Sequence, residues 1–380
     1  LREKMTLFWH NHFATSNRKV QNAGYMLGQN ELLRRHALGD FRTLLQEISH
    51  DPAMMVWLDT IQSRRGQANE NYARELMELF SLGIRHPRLA ERRNYSEQDV
   101  REAARAFTGW TLESGRPAFH ADQHDDGAKN VLGQRGRFHS ADIVRICLEQ
   151  EATSYFIARK LFRFLVSETV EPAPELLGPL AHAFRESDYS FGGLVEMVLR
   201  SNLFFSTHVY RTRVKTPVDF ALGIVRGLEG HLPGAGHQRR LGTTELAGAM
   251  EGLGQRLFYP PSVAGWDMGR AWLNGQTFLL RQNLALALTS TTDDRFGRRA
   301  DPAALLRRHD CQNGPSQVDF FVRLFLQGDV ADSARERLTG YLQTASSQSY
   351  PFFWTPEEAD DQRVRALCHL VLCLPEFQLD

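Results

Sequence analysis

Three stretches of this chain gather residue types that could do chemistry. The densest is Phe119-His120-Ala121-Asp122-Gln123-His124-Asp125-Asp126-Gly127-Ala128-Lys129, with Gly133 shortly after. Hard carboxylate oxygens, imidazoles and a glycine turn within ten or so residues suit a divalent metal or a phosphate-bearing ligand. Adjacent His and Asp can also orient one another for proton transfer. An Asp-rich loop is equally a common way to write a solvated turn. The second stretch is Asn69-Glu70-Asn71-Tyr72-Ala73-Arg74-Glu75-Leu76-Met77-Glu78. At about 100° per residue Asn71, Arg74, Glu75 and Glu78 share one side of a helix, opposite Tyr72, Leu76 and Leu79. That stripe is either a solvated face with mild carboxylate repulsion or an inward one that binds a cation or pairs with arginines. The third is Trp9-His10-Asn11-His12-Phe13. On a helix a two-residue step turns the imidazoles about 200° apart, so the pair does not share a metal. His12 falls with Met5, Phe8 and Trp9 on the buried side, either as a hydrogen-bonded core histidine or as a contributor to a distant site.

The elements that must position these groups are helical. Apolar periodicity reads as helix over 1–13, 71–82, 97–107, 153–167, 175–186, 191–200, 216–229, 243–257, 276–288, 317–326, 333–345 and 356–373. Ser96 with Asp99 makes a capping box, Gly83 a C-terminal stop, and Thr216-Pro217 a cap followed by proline in the first turn. Pro260-Pro261-Ser262-Val263-Ala264-Gly265-Trp266 reads as an extended turn that buries Trp266 and, with Trp272 and Asn274, could wall a pocket. No stretch alternates long enough for a sheet beyond a short β-ribbon near 115–139. The fold class is therefore all-α.

A pattern also repeats. Phe41-x-x-Leu44-Leu45-x-x-Ile48-x-x-x-Pro52-x-Met54 returns as Phe191-x-x-Leu194-Val195-x-x-Val198-x-x-x-Asn202-x-Phe204. It returns again as Val364-x-x-Leu367-Cys368-x-x-Val371-x-x-x-Pro375-x-Phe377. Each version predicts an amphipathic helix, a stop, and an apolar plug. Weak linkers at 230–240 and 289–316 divide a helical body over 1–230, holding the polar groups, from a helical region over 241–380.

Composition bounds the function. The 380 residues carry 45 basic and 45 acidic side chains, so no net field points to nucleic acid or an anionic membrane. Only five of the cations are lysines: Lys4, Lys19, Lys129, Lys160 and Lys215. Four scattered cysteines make no disulfide framework, and no apolar run is long enough for a transmembrane segment. The chain opens at Leu1 inside a helical phase, with Met5 a poor start. The expectation is a fragment with its N-terminus, and any leader, upstream.

At these motifs the chain resembles the bacterial domain of unknown function 1800 (DUF1800) family. The resemblance rests on Phe8-Trp9-His10-Asn11-His12-Phe13, Asn69 through Leu79, and Asp99-Val100 through Thr108-Gly109-Trp110. It extends to His124-Asp125-x-Gly127-x-Lys129-x-x-x-Gly133, Lys215-x-Pro217, Pro260-Pro261-x-x-x-Gly265-Trp266 and Pro375-Glu376-Phe377-Gln378. No activity comes with it. It implies a periplasmic or secreted setting and a neighbouring partner that resembles sulfatase- and phosphatase-like proteins.

Together these readings make the chain a hydrolase-like or group-transfer enzyme with a pocket between helix 71–82 and loop 119–133. Glu75, Glu78, His124 and Asp125 are its catalytic candidates. Arg74, Asn71, Lys129 and Trp110 are its ligand-binding candidates, and His12 and Asp122 the candidates for holding a divalent metal. The alternative is a non-catalytic, envelope-associated scaffold or partner protein whose polar motifs are structural ion pairs.

Overall fold

The computed structural model describes residues 1–380 except 87, 89–90, 231–240, 292, 294, 296–299 and 348–354. Among the described residues there are eighteen α-helices and two small antiparallel hairpins, so the protein is mostly all-α. It divides into two compact units, Leu1–Tyr210 with Phe258–Trp266, and Arg211–Leu257 with Asp267–Asp380. The linker expected at 230–240 lies almost entirely outside the described residues.

Aromatic residues spaced for helix build the core of the first unit. The helix Arg2–His12 buries Met5, Phe8 and Trp9. Trp9 stacks on Phe41 at 5.5 Å and tilts against Phe191 at 4.3 Å, the first residues of two repeated motifs. Those motifs are structurally equivalent. Phe41–Ser49 and Phe191–Leu199 are nine-residue helices capped by Asp40 and Ser190, whose side chains accept from Thr43 N and Gly193 N. Their N-termini hydrogen bond to each other's leading strand, Phe41 N to Tyr189 O and Phe191 N to Gly39 O. The third copy forms the end of the longer helix Pro356–Leu372. All three helices end three residues before Pro52, Asn202 and Pro375. The plugs differ, Met54 and Phe377 being buried and Phe204 half-buried.

Periodicity misses some elements. Ala23–Arg35 is a helix despite Gly24 and Gly28, because Asn22 caps it and Met26, Leu32 and Leu33 pack inward. Ser140–Glu149 is a helix whose apolar residues nearly encircle it. Within the expected linker 289–316, Asp301 caps the helix Pro302–Arg308, which buries Leu305 and Leu306. Helix 71–82 is not uniform: Asn71–Glu75 is α, and Leu76–Ser81 widens into a π-helix. The expected ribbon near 115–139 is two hairpins, Trp110–Glu113 with Arg116–Phe119 and Lys129–Val131 with Gln134–Gly136. Their turns, Ser114-Gly115 and Leu132-Gly133, have positive φ at both central residues, which matches the twist of two-residue hairpins.

The Pro-Pro…Gly-Trp segment returns to the first helix. Phe258 N donates to His10 Nε2 at 3.0 Å, and Trp266 N to Asn11 Oδ1 at 2.7 Å. Asn17 N donates to Phe258 O, and its side chain to Tyr259 OH. In the second unit the Lys215-x-Pro217 and Pro375–Gln378 motifs meet. Lys215 N donates to Gln378 O, and the fully buried Arg281 donates to Lys215 O at 2.7 Å over the Phe220 ring. Phe220, Phe321, Leu367, Val371 and Phe377 fill the core beneath. No helix among the described residues is long and apolar enough to cross a membrane.

Candidate functional site

The helix Glu97–Ala106 separates the two polar groups that the sequence placed together. It is fixed by the Ser96–Asp99 capping box, and it buries Val100, Ala103 and Ala104. Its outer residues serve both neighbours. Glu97 takes a bidentate pair from Arg74, at 3.0 and 2.8 Å, while Glu70 holds the same guanidinium at 3.0 Å. At the other end Arg105 forks onto Asp125, at 2.7 and 3.1 Å, and also reaches Glu102 and the Ala128 carbonyl. Asn130 N donates to Glu102, and Leu132 N to Asp99. Loop 119–133 therefore lies on helix Glu97–Ala106. Among the described residues no hydrogen bond or ion pair joins His124 or Asp125 to Arg74, Glu75 or Glu78.

On the helix side, Tyr95 OH donates to Glu78 at 2.7 Å. The Glu75 carboxylate makes no hydrogen bond or ion pair to a described residue. Burial first, and then the adjacent Glu78 charge, raise its pKa. Asn71 is exposed and reaches Asp59. The π-turn leaves carbonyls without intrahelical partners, and one half-buried and one buried side chain cap them. Lys160 Nζ donates to Leu79 O at 3.1 Å and His12 Nε2 to Phe80 O at 3.1 Å, while His12 Nδ1 accepts from Lys160 at 3.0 Å. Both ring nitrogens are occupied, and burial holds the ring neutral. As placed, His12 has no nitrogen to offer a metal; it closes a helix end.

On the loop side nearly every polar group is satisfied. Asp125 accepts from Arg105 and Gly127 N, and the Arg105 guanidinium lowers its pKa to about 2. Lys129 is buried and donates to the carbonyls of Asp125 and Gly127. Thr108 Oγ accepts from Asp125 N and donates to Arg105 O. Arg65 donates to the His124 carbonyl at 2.7 Å. Gly109, at φ +86°, allows this closure: a Cβ there would stand 2.7 Å from His120 O and 3.1 Å from His124 Cβ. Trp110 lies 3.9 Å from His50 and 5.2 Å from Phe119, ring centre to ring centre. Asp122 is exposed, in the turn Ala121–Gln123, and makes no hydrogen bond or ion pair to a described residue.

His124 is the exception. Its Nδ1 lies 2.9 Å from Thr108 O, a carbonyl that can only accept, so Nδ1 carries the proton. Nε2 is then a bare lone pair, and it is buried without a partner. The ring is 2 % exposed; burial lowers its pKa, with the Thr108 bond opposing and the charges of His139 and Lys129 adding. It stacks on His139 at 4.4 Å and 10°. Ligand atoms of His124, Asp126 and His139 all lie within 4.8 Å of one another. Asp126 and His139 are exposed, and Arg137 approaches Asp126 at 3.6 Å. Sequence spacing does not reveal His139, because it caps the next helix fifteen residues beyond His124. A cleft of about 640 Å³ between Tyr25, Leu32, Gln46, His50 and Asp51 involves none of the candidate catalytic, ligand-binding or metal residues named from sequence.

No curated protein and no solved structure matches this chain. Residues 1–379 match the family described as "Protein of unknown function (DUF1800)", and the chain belongs to that family.

Proposed function

We propose that the chain is a hydrolase-like or group-transfer enzyme whose reactive face is the pair of hairpins over 110–136 and the start of the helix that follows. One observation carries this reading: the buried, unpartnered Nε2 of His124. Leaving such an atom unpaired costs about 1–3 kcal/mol, and the neighbouring Thr108, Asp125 and Lys129 side chains all have partners. A residue held in one tautomer with its lone pair idle is arranged for a ligand or a transferring proton. Asp125 and Lys129 then position the loop, since both are consumed by internal bonds. Glu75 and Glu78, on the far side of helix Glu97–Ala106, are left as a separate acidic pair. The test is a panel of phosphate, sulfate and carboxylate esters assayed with wild type, His124→Gln and His139→Ala. Turnover that falls at least about 100-fold in both variants, with helical circular dichroism retained, supports the reading. Activity unchanged in both defeats it.

A second reading has its own observation. Arg74 between Glu70 and Glu97, and Arg105 between Glu102 and Asp125, tie three segments through ion pairs. A non-catalytic scaffold, acting in the periplasm or outside the cell beside a sulfatase- or phosphatase-like partner, would need no more. It leaves His124 Nε2 unexplained.

A further inference from the structure

We propose that His124, Asp126 and His139 form a binding site for a single borderline transition-metal ion of the zinc class. The inference rests on the same idle nitrogen as the enzyme reading and names what that nitrogen engages. Two imidazoles and one carboxylate are the donor set of open zinc and iron(II) centres, whereas calcium and magnesium prefer all-oxygen shells.

The geometry supports each ligand in turn. His124 is already in the required state, with Nδ1–H held by a backbone carbonyl and Nε2 free. A carbonyl or carboxylate behind a ligating histidine is the usual orienting partner. Thr108, which supplies that carbonyl, is itself locked by Arg105 O and Asp125 N. His139 and Asp126 are both exposed, so they can move onto an ion without disturbing the core. Ligand atoms now up to 4.8 Å apart must close to roughly 3.3 Å around an ion bound at about 2.1 Å. Tilting the His139 ring from its parallel stack and turning the Asp126 carboxylate achieve this. The remaining coordination positions face solvent beside the two exposed ligands, the arrangement that leaves room for water or a substrate oxygen. Opposing charge is limited. Lys129 is tied to two carbonyls and Arg105 to Asp125. Arg137 is the cation that competes for Asp126.

The experiment is zinc titration of chelator-stripped full-length protein by calorimetry, with cobalt substitution read by its visible absorption. Wild type should bind one zinc per chain, and cobalt should give the intense bands of a low-symmetry, four- or five-coordinate site. His139→Ala and Asp126→Asn, both at exposed positions, should each weaken binding by at least about 10–100-fold with unchanged circular dichroism. Arg137→Ala should strengthen it several-fold by freeing Asp126. Stoichiometric zinc binding without ester turnover leaves this site standing and defeats the enzyme reading; turnover that persists in chelator does the reverse. Zinc binding that is absent in wild type, or equal in His139→Ala and Asp126→Asn, overturns the proposal.

Discussion

Replacing Asp51 by asparagine should make the protein more stable at neutral pH. Asp51 caps the helix Pro52–Trp57, accepting from Met54 N at 2.9 Å and from Gln29 Nε2 at 2.7 Å. It is 4 % exposed, and burial raises its pKa to about 6 despite those bonds. A carboxyl whose folded pKa lies above its unfolded value stabilises the fold fully below about pH 3.9, and that contribution is lost as pH rises through 6. A rise of about 2 units is worth about 3 kcal/mol at 1.36 kcal/mol per unit. Asparagine is an equally good cap through its carbonyl oxygen and does not ionise. Its carbonyl oxygen keeps both of those bonds, and its amide group cannot accept the further backbone bond from Ala53, a cost of about 1 kcal/mol. The variant should therefore be about 1 kcal/mol less stable than wild type near pH 3.5 and about 2 kcal/mol more stable near pH 7.5. Urea unfolding followed by helical ellipticity at several pH values measures the difference directly. A gap that stays constant across that range, or moves against the variant as pH rises, would refute the burial argument.

Three further outcomes follow from the geometry. Gly109→Ala meets a backbone oxygen at 2.7 Å in a left-handed conformation, and should cost about 2–4 kcal/mol in thermal or urea unfolding. His12→Ala uncaps Phe80 O and takes from Lys160 one of its two acceptors; a loss of roughly 2–4 kcal/mol is expected, with zinc affinity unchanged by calorimetry. Arg105→Ala should speed amide hydrogen exchange over 125–132, whose backbone it helps hold, whereas Arg74→Ala should leave that segment's exchange as in wild type.

Much of the helical framework was legible in the sequence. Ser96, Thr216 and Gly83 terminate their helices as their types require, because capping is local chemistry. The threefold motif was legible for the same reason, its apolar spacing and stop residues lying within one helix and its exit. What stayed hidden depends on distant pairing. Asp125 of the loop sits on Arg105, and Arg74 on Glu97, because helix Glu97–Ala106 offers a cation at one end and a carboxylate at the other. Composition cannot tell which arginine serves which acid. His124 drew notice from its crowded loop, but the tautomer that makes it useful depends on the Thr108 carbonyl sixteen residues earlier. His139 was hidden by its role as a helix-capping position. The π-turn was equally unreadable, since it depends on Lys160 and His12 arriving to cap it.

The return of Phe258–Trp266 to the first helix has a consequence for synthesis. During translation, Tyr210 and everything before it leave the ribosome while the partners of His10 and Asn11 do not yet exist. At about 5–20 residues per second, Trp266 follows some 3–11 s later. In that interval the nascent chain carries an aromatic core whose first helix has a bare imidazole and a bare amide on one flank. Chaperones at the ribosome thus meet a body that is folded in outline but unlatched, and the arrival of Pro260-Pro261 and Gly265-Trp266 closes it.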